Sequence, residues 1–238
     1  SLPIGIAVSC SADRQIKARI DAEGVFLEAL EEDPARFLPD VRLDLESPVP
    51  IDLDRPMSSI RADLGKLEVG AAVQLSGTLI VARDIVHARL AAALERGEAL
   101  PTYMKDHPIY YAGPAKTPEG HASGSFGPTT AARMDGFMPT FQAAGAALVT
   151  LAKGNRSAVV RDSCAQHGGF YLATIGGTAA RLGRDLIERV EVVDFAELGM
   201  EAVWRIRVRN VPAFLVIDDK GNDFYRRLAK RRAQPAAV

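Results

Sequence analysis

Four polar side chains follow predicted strands or open predicted helices, and their types suit the binding of a small polyanion. They are Arg83, Thr129, Arg133 and Lys153. Guanidinium and ammonium groups form charge-assisted hydrogen bonds with carboxylates. Because few acidic residues accompany the three cations, the set predicts a dicarboxylate ligand.

The segment Ala122–Asp135, ASGSFGPTTAARMD, is the one around which the chain is organised. A loop of small residues leads into Pro128, which suits the first turn of a helix predicted over residues 129–143. The free N–H groups of the first three helical residues then attract anions, because unpaired donors and the helix dipole act together. Thr129 and Arg133 share one face of that turn, so the segment is a seat for a carboxylate with a reactive carbon beside it. The alternative is an ordinary capped helix with Arg133 in solvent.

Two further cations have alternative interpretations. Arg83 and His87 are four residues apart and could face the same crevice, since open α/β sheets bind ligands at the carboxyl ends of their strands. The alternative is a solvated arginine beside a histidine that packs the helix. Lys153 also follows a strand, in LAKGNRS, and the alternative there is a capping turn with exposed cations.

Several other residues are weaker candidates. Lys116 and His121 lie in a long segment without periodicity, where a plain surface loop is an equal alternative. The turn Gly176–Thr178 is a second anion seat or a site of tight helix–strand packing. Cys164 fits a buried thiol in an amphipathic helix. Cys10 lies in a polar turn and is free to bind a metal or a cluster, but a cluster requires cysteines outside the chain.

The elements that position these residues alternate between strand and helix, which predicts an α/β domain with a mixed sheet. Asp84 is expected to cap its helix. Glu46–Pro56 is expected to be a linker, and residues 1–45 a helical tail of a preceding domain. The predicted domains are therefore 1–45 and 46–238. Within the second domain we expect strands over 71–83 and in PIYYAGPA, AALVTLAKG and FYLATIGG, helices over 84–98, 129–143, 157–167 and 178–187, two strands in EAVWRIRVRNVPAFLVIDD, and a basic helical tail.

Composition excludes some classes of protein. The chain has 238 residues, a net charge of −1 and 47% hydrophobic residues, which is ordinary for a globular protein and argues against nucleic acid as the main partner. Its apolar runs are too short to span a membrane, and the start lacks the basic region of a signal peptide. Two cysteines fit a reducing compartment, so we expect a cytoplasmic protein.

Seven motifs, taken in order, resemble class I, iron–sulfur-dependent fumarate hydratases, and cover nearly the whole chain as the C-terminal portion of the single-chain form. They are VSCSADRQIKARI, GTLIVARDIVHA, KDHPIYYAGPAKTPEG, SGSFGPTTAARMD, LAKGNRS, QHGGFYLATIGGTAA and PAFLVIDDKGND. The resemblance implies a swivelling β/β/α domain, preceded by a short tail of an N-terminal cluster domain and packed over that domain. The chain departs from the family's usual pattern at Ala132 and Thr178, where glycine and proline are frequent, and neither change removes a functional group.

The resemblance also implies roles for particular residues. A [4Fe–4S] cluster is held by three cysteines, of which Cys10 is the third and the other two lie outside this chain. Arg83, Arg133 and Lys153 bind the substrate, and Thr129 is the catalytic base, while the acid belongs to the N-terminal domain.

The implied reaction is the reversible hydration of fumarate to (S)-malate. The alternatives are a related hydratase acting on tartrate or mesaconate, and a binding or docking module without catalysis, which we expect of the isolated chain. The expected partners are fumarate or malate, the N-terminal cluster domain and a second copy in a homodimer, with neither nucleic acid nor membrane.

Overall fold

The computed structural model describes residues 17–27 and 48–233. The chain divides into two compact units, 1–44 and 45–238. Cys10 lies outside the described residues. Within the described residues, each helix is too short or too polar to cross a membrane.

The described part of the first unit is a β-hairpin, where the sequence predicted a helix. Strands β1 (Ala18–Asp21) and β2 (Gly24–Leu27) pair in antiparallel fashion. The Asp21 carboxylate accepts a hydrogen bond of 2.9 Å from the Glu23 N–H, and Gly24 has a φ of 140°. This turn chemistry reverses the chain, and the helix prediction was wrong because it weighed apolar spacing above the turn residues.

The second unit is a mixed α/β structure, as predicted. Its strands are β3 (Val49–Asp52), β4 (Ala72–Val81), β5 (Ile109–Tyr110), β6 (Ala112–Pro114), β7 (Phe126–Pro128), β8 (Val149–Ala152), β9 (Phe170–Thr174), β10 (Ile187–Asp194) and β11 (Val203–Ile217). Its α-helices are α1 (Met57–Leu64), α2 (Asp84–Glu95), α3 (Tyr103–Asp106), α4 (Met138–Ala143), α5 (Ala158–His167), α6 (Ala179–Arg181) and α7 (Phe224–Ala233). Further helical turns are the 3-10 helices Ala131–Phe137, Gly176–Thr178 and Ala196–Glu201 and the π-helix Leu182–Leu186.

Seven strands form one sheet in the order β10-β11-β9-β8-β5-β4-β3. The neighbours from β3 to β9 run parallel, whereas β11 is antiparallel to β10, β9 and β4. Because β11 pairs with both β9 and β4, the strands β4, β5, β8, β9 and β11 close into a ring of hydrogen-bonded neighbours. The sheet is therefore mixed, as the sequence predicted. The swivelling-domain name stays a prediction.

Alternating side chains divide the core into two clusters on opposite faces of the strands. Leu79 of β4 belongs to the cluster shared among the strands, and Ile80 to the cluster beneath the helices. The helical members of the second cluster come from α2, α3, α4, α5 and the 3-10 helix at 131–137, and include Val86, Met134, Phe141, Val160 and Cys164. These helices are thereby fixed against the sheet edge that carries the candidate residues.

Two local predictions were wrong, and one strand was not predicted. The expected linker contains β3, an edge strand paired with β4. The two strands expected before the C-terminal helix are one long strand, β11, with an irregular register between Val208 and Val211. The helix expected over 178–187 is largely present, as α6 followed by the π-helix Leu182–Leu186, but the strand β10 into which it leads was not predicted.

Candidate functional site

The candidate residues lie at the edge of the sheet where the parallel strands end. Arg83 follows β4, and Lys153 follows β8 directly. The Thr129 N–H donates to the Tyr111 carbonyl, just after β5, at 2.8 Å, and the Lys153 N–H donates to the Thr129 carbonyl at 3.2 Å. Parallel strands bring their carboxyl ends to one edge, so residues far apart in the chain meet there.

The backbone around Thr129 differs from the prediction. Pro128 ends strand β7 instead of opening a helix, and the 3-10 helix begins only at Ala131. The N–H of Ala131 donates to the Lys153 carbonyl at 2.9 Å, and that of Thr129 is used by Tyr111. The predicted anion seat of free helical N–H groups was therefore wrong, because a strand-like bridge consumes two of its three donors. The Thr130 N–H and the side chains remain to hold an anion.

Arg133 connects two elements of the site. Its Nη1 donates to Thr129 Oγ1 at 3.4 Å, and its Nη2 lies 2.8 Å from Asp84 Oδ2. The second contact is an ion pair whose angles fall outside hydrogen-bond geometry, since Oδ2 has no hydrogen-bond partner in the described part of the chain. Asp84 was expected to cap α2, but it is the first helical residue and makes no capping hydrogen bond. Its carboxylate faces Arg133 instead.

Arg83 is paired with a carboxylate from another part of the chain. Its Nη2 contacts Glu201, at the end of the 3-10 helix before β11. A Cβ added to Gly113 would lie 3.2 Å from the Arg83 Cζ, so the glycine leaves room for the guanidinium. Asp84 and Glu201 thus accompany the two arginines, and the expectation of few acidic neighbours was wrong.

Lys153 is the third cation, and it differs from the two arginines. Among the described residues no carboxylate lies within ion-pair distance of it. A Cβ on Gly176 would lie 2.9 Å from the Lys153 Cδ, so the Gly176–Thr178 turn packs against the lysine stem. The tight-packing interpretation of this turn is thereby favoured, and the ammonium stays available to a ligand.

A buried ion pair fixes the loops that carry Arg133 and Lys153. Asp135 Oδ1 accepts from Arg156 Nε at 2.6 Å, and Oδ2 accepts from the Ser157 N–H at 2.6 Å. The Arg156 side chain is fully buried and lies between the rings of two tyrosines, 111 and 171. A buried charge is tolerated when it is paired and hydrogen-bonded, so this pair holds the two loops together.

His87 is a packing residue, as the alternative interpretation had it. Its ring is fully buried against Tyr111, Phe137 and Phe141. Its Nδ1 lies 3.0 Å from the Arg83 carbonyl oxygen. Burial lowers the pKa of His87 to about 4, so the ring is neutral and its Nδ1–H donates to that oxygen.

The remaining candidates lie elsewhere. Lys116 and His121 are exposed on the loop between β6 and β7. Cys164 is buried in α5, where burial raises the pKa of its thiol to about 11, so it is a core residue as predicted. The sequence missed the partners Asp84 and Glu201. Asp84 directly follows Arg83 in the sequence, and this adjacency could have suggested a role for it at the site. No feature of the sequence near Glu201 suggests such a role.

A cavity of about 580 Å³ lies at the opposite end of the sheet. It is lined by the turn after α1, the turn after β11 and helix α7, including Lys66, Lys220, Arg226, Arg227 and Lys230. Because Leu215 of β11 bonds to Ala71 at the start of β4, this cavity is a whole strand length away from Arg83. It is separate from the candidate site.

The chain is similar in sequence to known proteins. A family model described as Fumarase C-terminus matches residues 24–228. "Fumarate hydratase 2" of Leishmania major is 58% identical over 94% of this chain and 40% of its own length. "Fumarate hydratase class I, aerobic" of Escherichia coli K12 is 53% identical over 96% of this chain and 42% of its own length. "Putative L(+)-tartrate dehydratase subunit beta" of Methanocaldococcus jannaschii is 35% identical over 72% of this chain and 90% of its own length.

Proposed function

The chain belongs to the Fumarase C-terminus family, and on this premise we propose that it is the substrate-binding portion of a hydro-lyase that interconverts fumarate and (S)-malate. The chain spans only 40% of the length of the Leishmania relative, and the proposal concerns the part of such an enzyme to which this chain corresponds. The observation that carries the proposal is the contact group at the sheet edge, in which Arg133 touches the Thr129 hydroxyl and the Lys153 N–H donates to the Thr129 carbonyl.

The difficult step of malate dehydration is the removal of a weakly acidic C–H proton beside a carboxylate. Cations that neutralise the carboxylate stabilise the charge that develops there. We assign this task to Arg83, Arg133 and Lys153, of which Lys153 has no competing carboxylate within ion-pair distance among the described residues. The carboxylates of the diacid then either displace Glu201 and Asp84 from the two arginines or bind the guanidinium N–H groups that these two residues leave unused.

Thr129 is assigned the role of the base. A threonine hydroxyl is a weak base at neutral pH and needs a group that stabilises its alkoxide. The Arg133 Nη1 that donates to Thr129 Oγ1 is such a group, because a hydrogen bond from a cation favours the charged form.

The resemblance to class I hydratases implies a [4Fe–4S] cluster, which the described residues do not fit. Cys164 is buried with a raised pKa, and no group of three or more His, Cys, Asp and Glu in residues 17–27 and 48–233 could hold a metal ion. No step is therefore assigned to the cluster here. The roles of Cys10 as its third ligand and of a second copy as dimer partner stay predictions.

A second candidate function is the dehydration of tartrate. The Methanocaldococcus relative carries that name, and its alignment covers 90% of its own length, so in that protein the matching region is nearly a whole subunit. Values of kcat/KM for malate and L-tartrate, measured side by side, decide between the two substrates.

The test of the proposed function uses the intact hydratase, in which this chain is joined to the N-terminal portion of its longer relatives. Thr129→Ala is expected to lower kcat by about 10²–10⁴-fold, the usual contribution of a general base, while the Kd for malate changes little. Thr130→Ala is the matched control, because Thr130 is an exposed neighbour on the same bridge to Lys153, and it should retain activity. Equal losses of turnover and binding in Thr129→Ala contradict the base assignment, and hydration by the isolated chain contradicts the need for a further portion.

A further inference from the structure

We propose that Asp84 is a positioning residue of this site, which holds the Arg133 guanidinium in the orientation that reaches the Thr129 hydroxyl. The catalytic meaning of this inference rests on the proposed function. The contact itself does not, because it concerns only residues of this chain.

Each of the two terminal nitrogens of the Arg133 guanidinium has one contact, with Asp84 on one side and with Thr129 on the other. Nη2 of Arg133 lies 2.8 Å from Asp84 Oδ2, and Nη1 lies 3.4 Å from Thr129 Oγ1. The Arg133 side chain is 55% exposed and that of Asp84 only 28%. The carboxylate is therefore the more enclosed partner of the two.

The separation between the two elements is set by packing. Asp84 is the first residue of α2, and α2 contacts the segment 131–143 through the buried His87 ring. The ring centroid of His87 lies 5.8 Å from that of Phe137 and 5.4 Å from that of Phe141. Because a close-packed core does not yield continuously, Asp84 stays within reach of Arg133.

Asp84 has two opposing effects on Thr129, and they predict different results. The charged groups that the structure shows beside the hydroxyl are Arg133, which contacts it, and Asp84 from α2, which contacts Arg133, while Lys153 is joined to Thr129 through the backbone. As a bare negative charge, Asp84 weakens the binding of a dianion and raises the pKa of the hydroxyl. As an orienting group, it keeps the long 3.4 Å hydrogen bond within a productive angle, and such bonds weaken steeply with misalignment.

The orienting effect predicts a split between kcat and KM in the intact hydratase. Asp84→Ala should lower kcat by about ten- to a hundredfold, as expected for a misplaced contact, while KM for malate stays the same or falls. Asp84→Asn, which keeps an oxygen near Arg133 but loses the ion pair, should lie between, and Asp84→Glu should restore most of kcat. The pH at which kcat rises should move upward in Asp84→Ala, because Arg133 no longer stabilises the Thr129 alkoxide.

The control is Asp162→Ala, which removes a carboxylate from an exposed pair with Arg161 on α5. It should leave kcat, KM and the pH profile unchanged. If Asp84 acts only through its charge, Asp84→Ala will move the pH profile of kcat downward. If Asp84 acts only on stability, Asp84→Ala will leave kcat unchanged. Either result overturns the proposal.

A second measurement separates this inference from the proposed function. In the chain labelled with ¹⁵N-arginine, the Arg133 Nη–H signal should show slowed exchange with water in the wild type and in Asp162→Ala, but not in Asp84→Ala. If the intact enzyme hydrates no diacid, the proposed function is refuted. If the exchange of the Arg133 signal nevertheless depends on Asp84, the positioning role is supported. A signal that is the same in wild type and Asp84→Ala refutes the positioning role, whatever the activity.

Discussion

Among single residues, His87 shows how the packing beneath the candidate site responds to pH. The ring is buried among three aromatic side chains, and its pKa falls from 6.5 to about 4 because burial disfavours the imidazolium. Its only described polar contact is with the Arg83 carbonyl, and its Nε2 has no partner in the described part of the chain. Protonating the ring therefore means burying an unpaired charge.

The free energy of unfolding should consequently fall as the pH drops through the range from about 6.5 to 4. The unfolded chain takes up a proton at His87 in this range and the folded chain does not, so the folded state loses about 2 kcal/mol between pH 7 and pH 5. Urea denaturation of the wild type and of His87→Leu at both pH values measures the effect. The slope attributable to this group should vanish in His87→Leu and persist in His121→Gln, which changes an exposed histidine. Parallel slopes in the wild type and His87→Leu contradict the assignment.

The residues that accompany the cations show a general limit of sequence reasoning. Asp84 stands next to Arg83 in the chain but pairs with Arg133, and Glu201 pairs with Arg83 across more than a hundred residues. Charge counting along the sequence saw three cations and missed the two carboxylates beside them. The direction of each side chain had to be known first.

Among the elements, β11 changes partner along its length. Its first half lies between β10 and β4, and its second half between β9 and β4. The change occurs near Asn210, which has a φ of 56° and whose N–H donates to Ser76 Oγ at 2.9 Å. A residue with left-handed backbone conformation at this point bends the strand, as a β-bulge does, so that β11 can pair with β10 before it and with β9 after it.

Asn210 substitutions should follow backbone conformation and not side-chain size. Asn210→Gly should unfold at nearly the same urea concentration as the wild type, since glycine adopts a positive φ without strain. Asn210→Val should cost about 1–3 kcal/mol, the range for a residue held in a sparsely populated conformation. Urea denaturation of the three proteins compares them, and a valine variant as stable as the wild type would show that the bulge relaxes without strain.

For the whole molecule, both core clusters consist of residues from Ile51 onward. The seven-stranded sheet likewise begins with β3 at Val49. Among the described residues, the core therefore lies within the second unit.

A chain shortened to residues 45–238 should unfold cooperatively, with a Tm within about 4 °C of the longer chain. A chain shortened further, to begin at residue 54, removes the buried Ile51 and Leu53 together with β3. It should lose several kcal/mol, because each large buried aliphatic side chain contributes about 2–5 kcal/mol. Differential scanning calorimetry distinguishes the two, and a large loss already in 45–238 would show that the first 44 residues stabilise the rest.

The sequence by itself determined the α/β class, the mixed sheet and the proximity of Thr129, Arg133 and Lys153. It could do so because Thr129 and Arg133 are four residues apart in one segment predicted to be helical, and Lys153 follows a strand whose carboxyl end lies at the ligand-binding edge of such a sheet. Only the tertiary structure decided which amides around Pro128 are free, which carboxylates pair with Arg83 and Arg133, and that β11 closes the ring of strands. These features depend on hydrogen bonds and ion pairs between distant segments, and local periodicity carries no information about such partners.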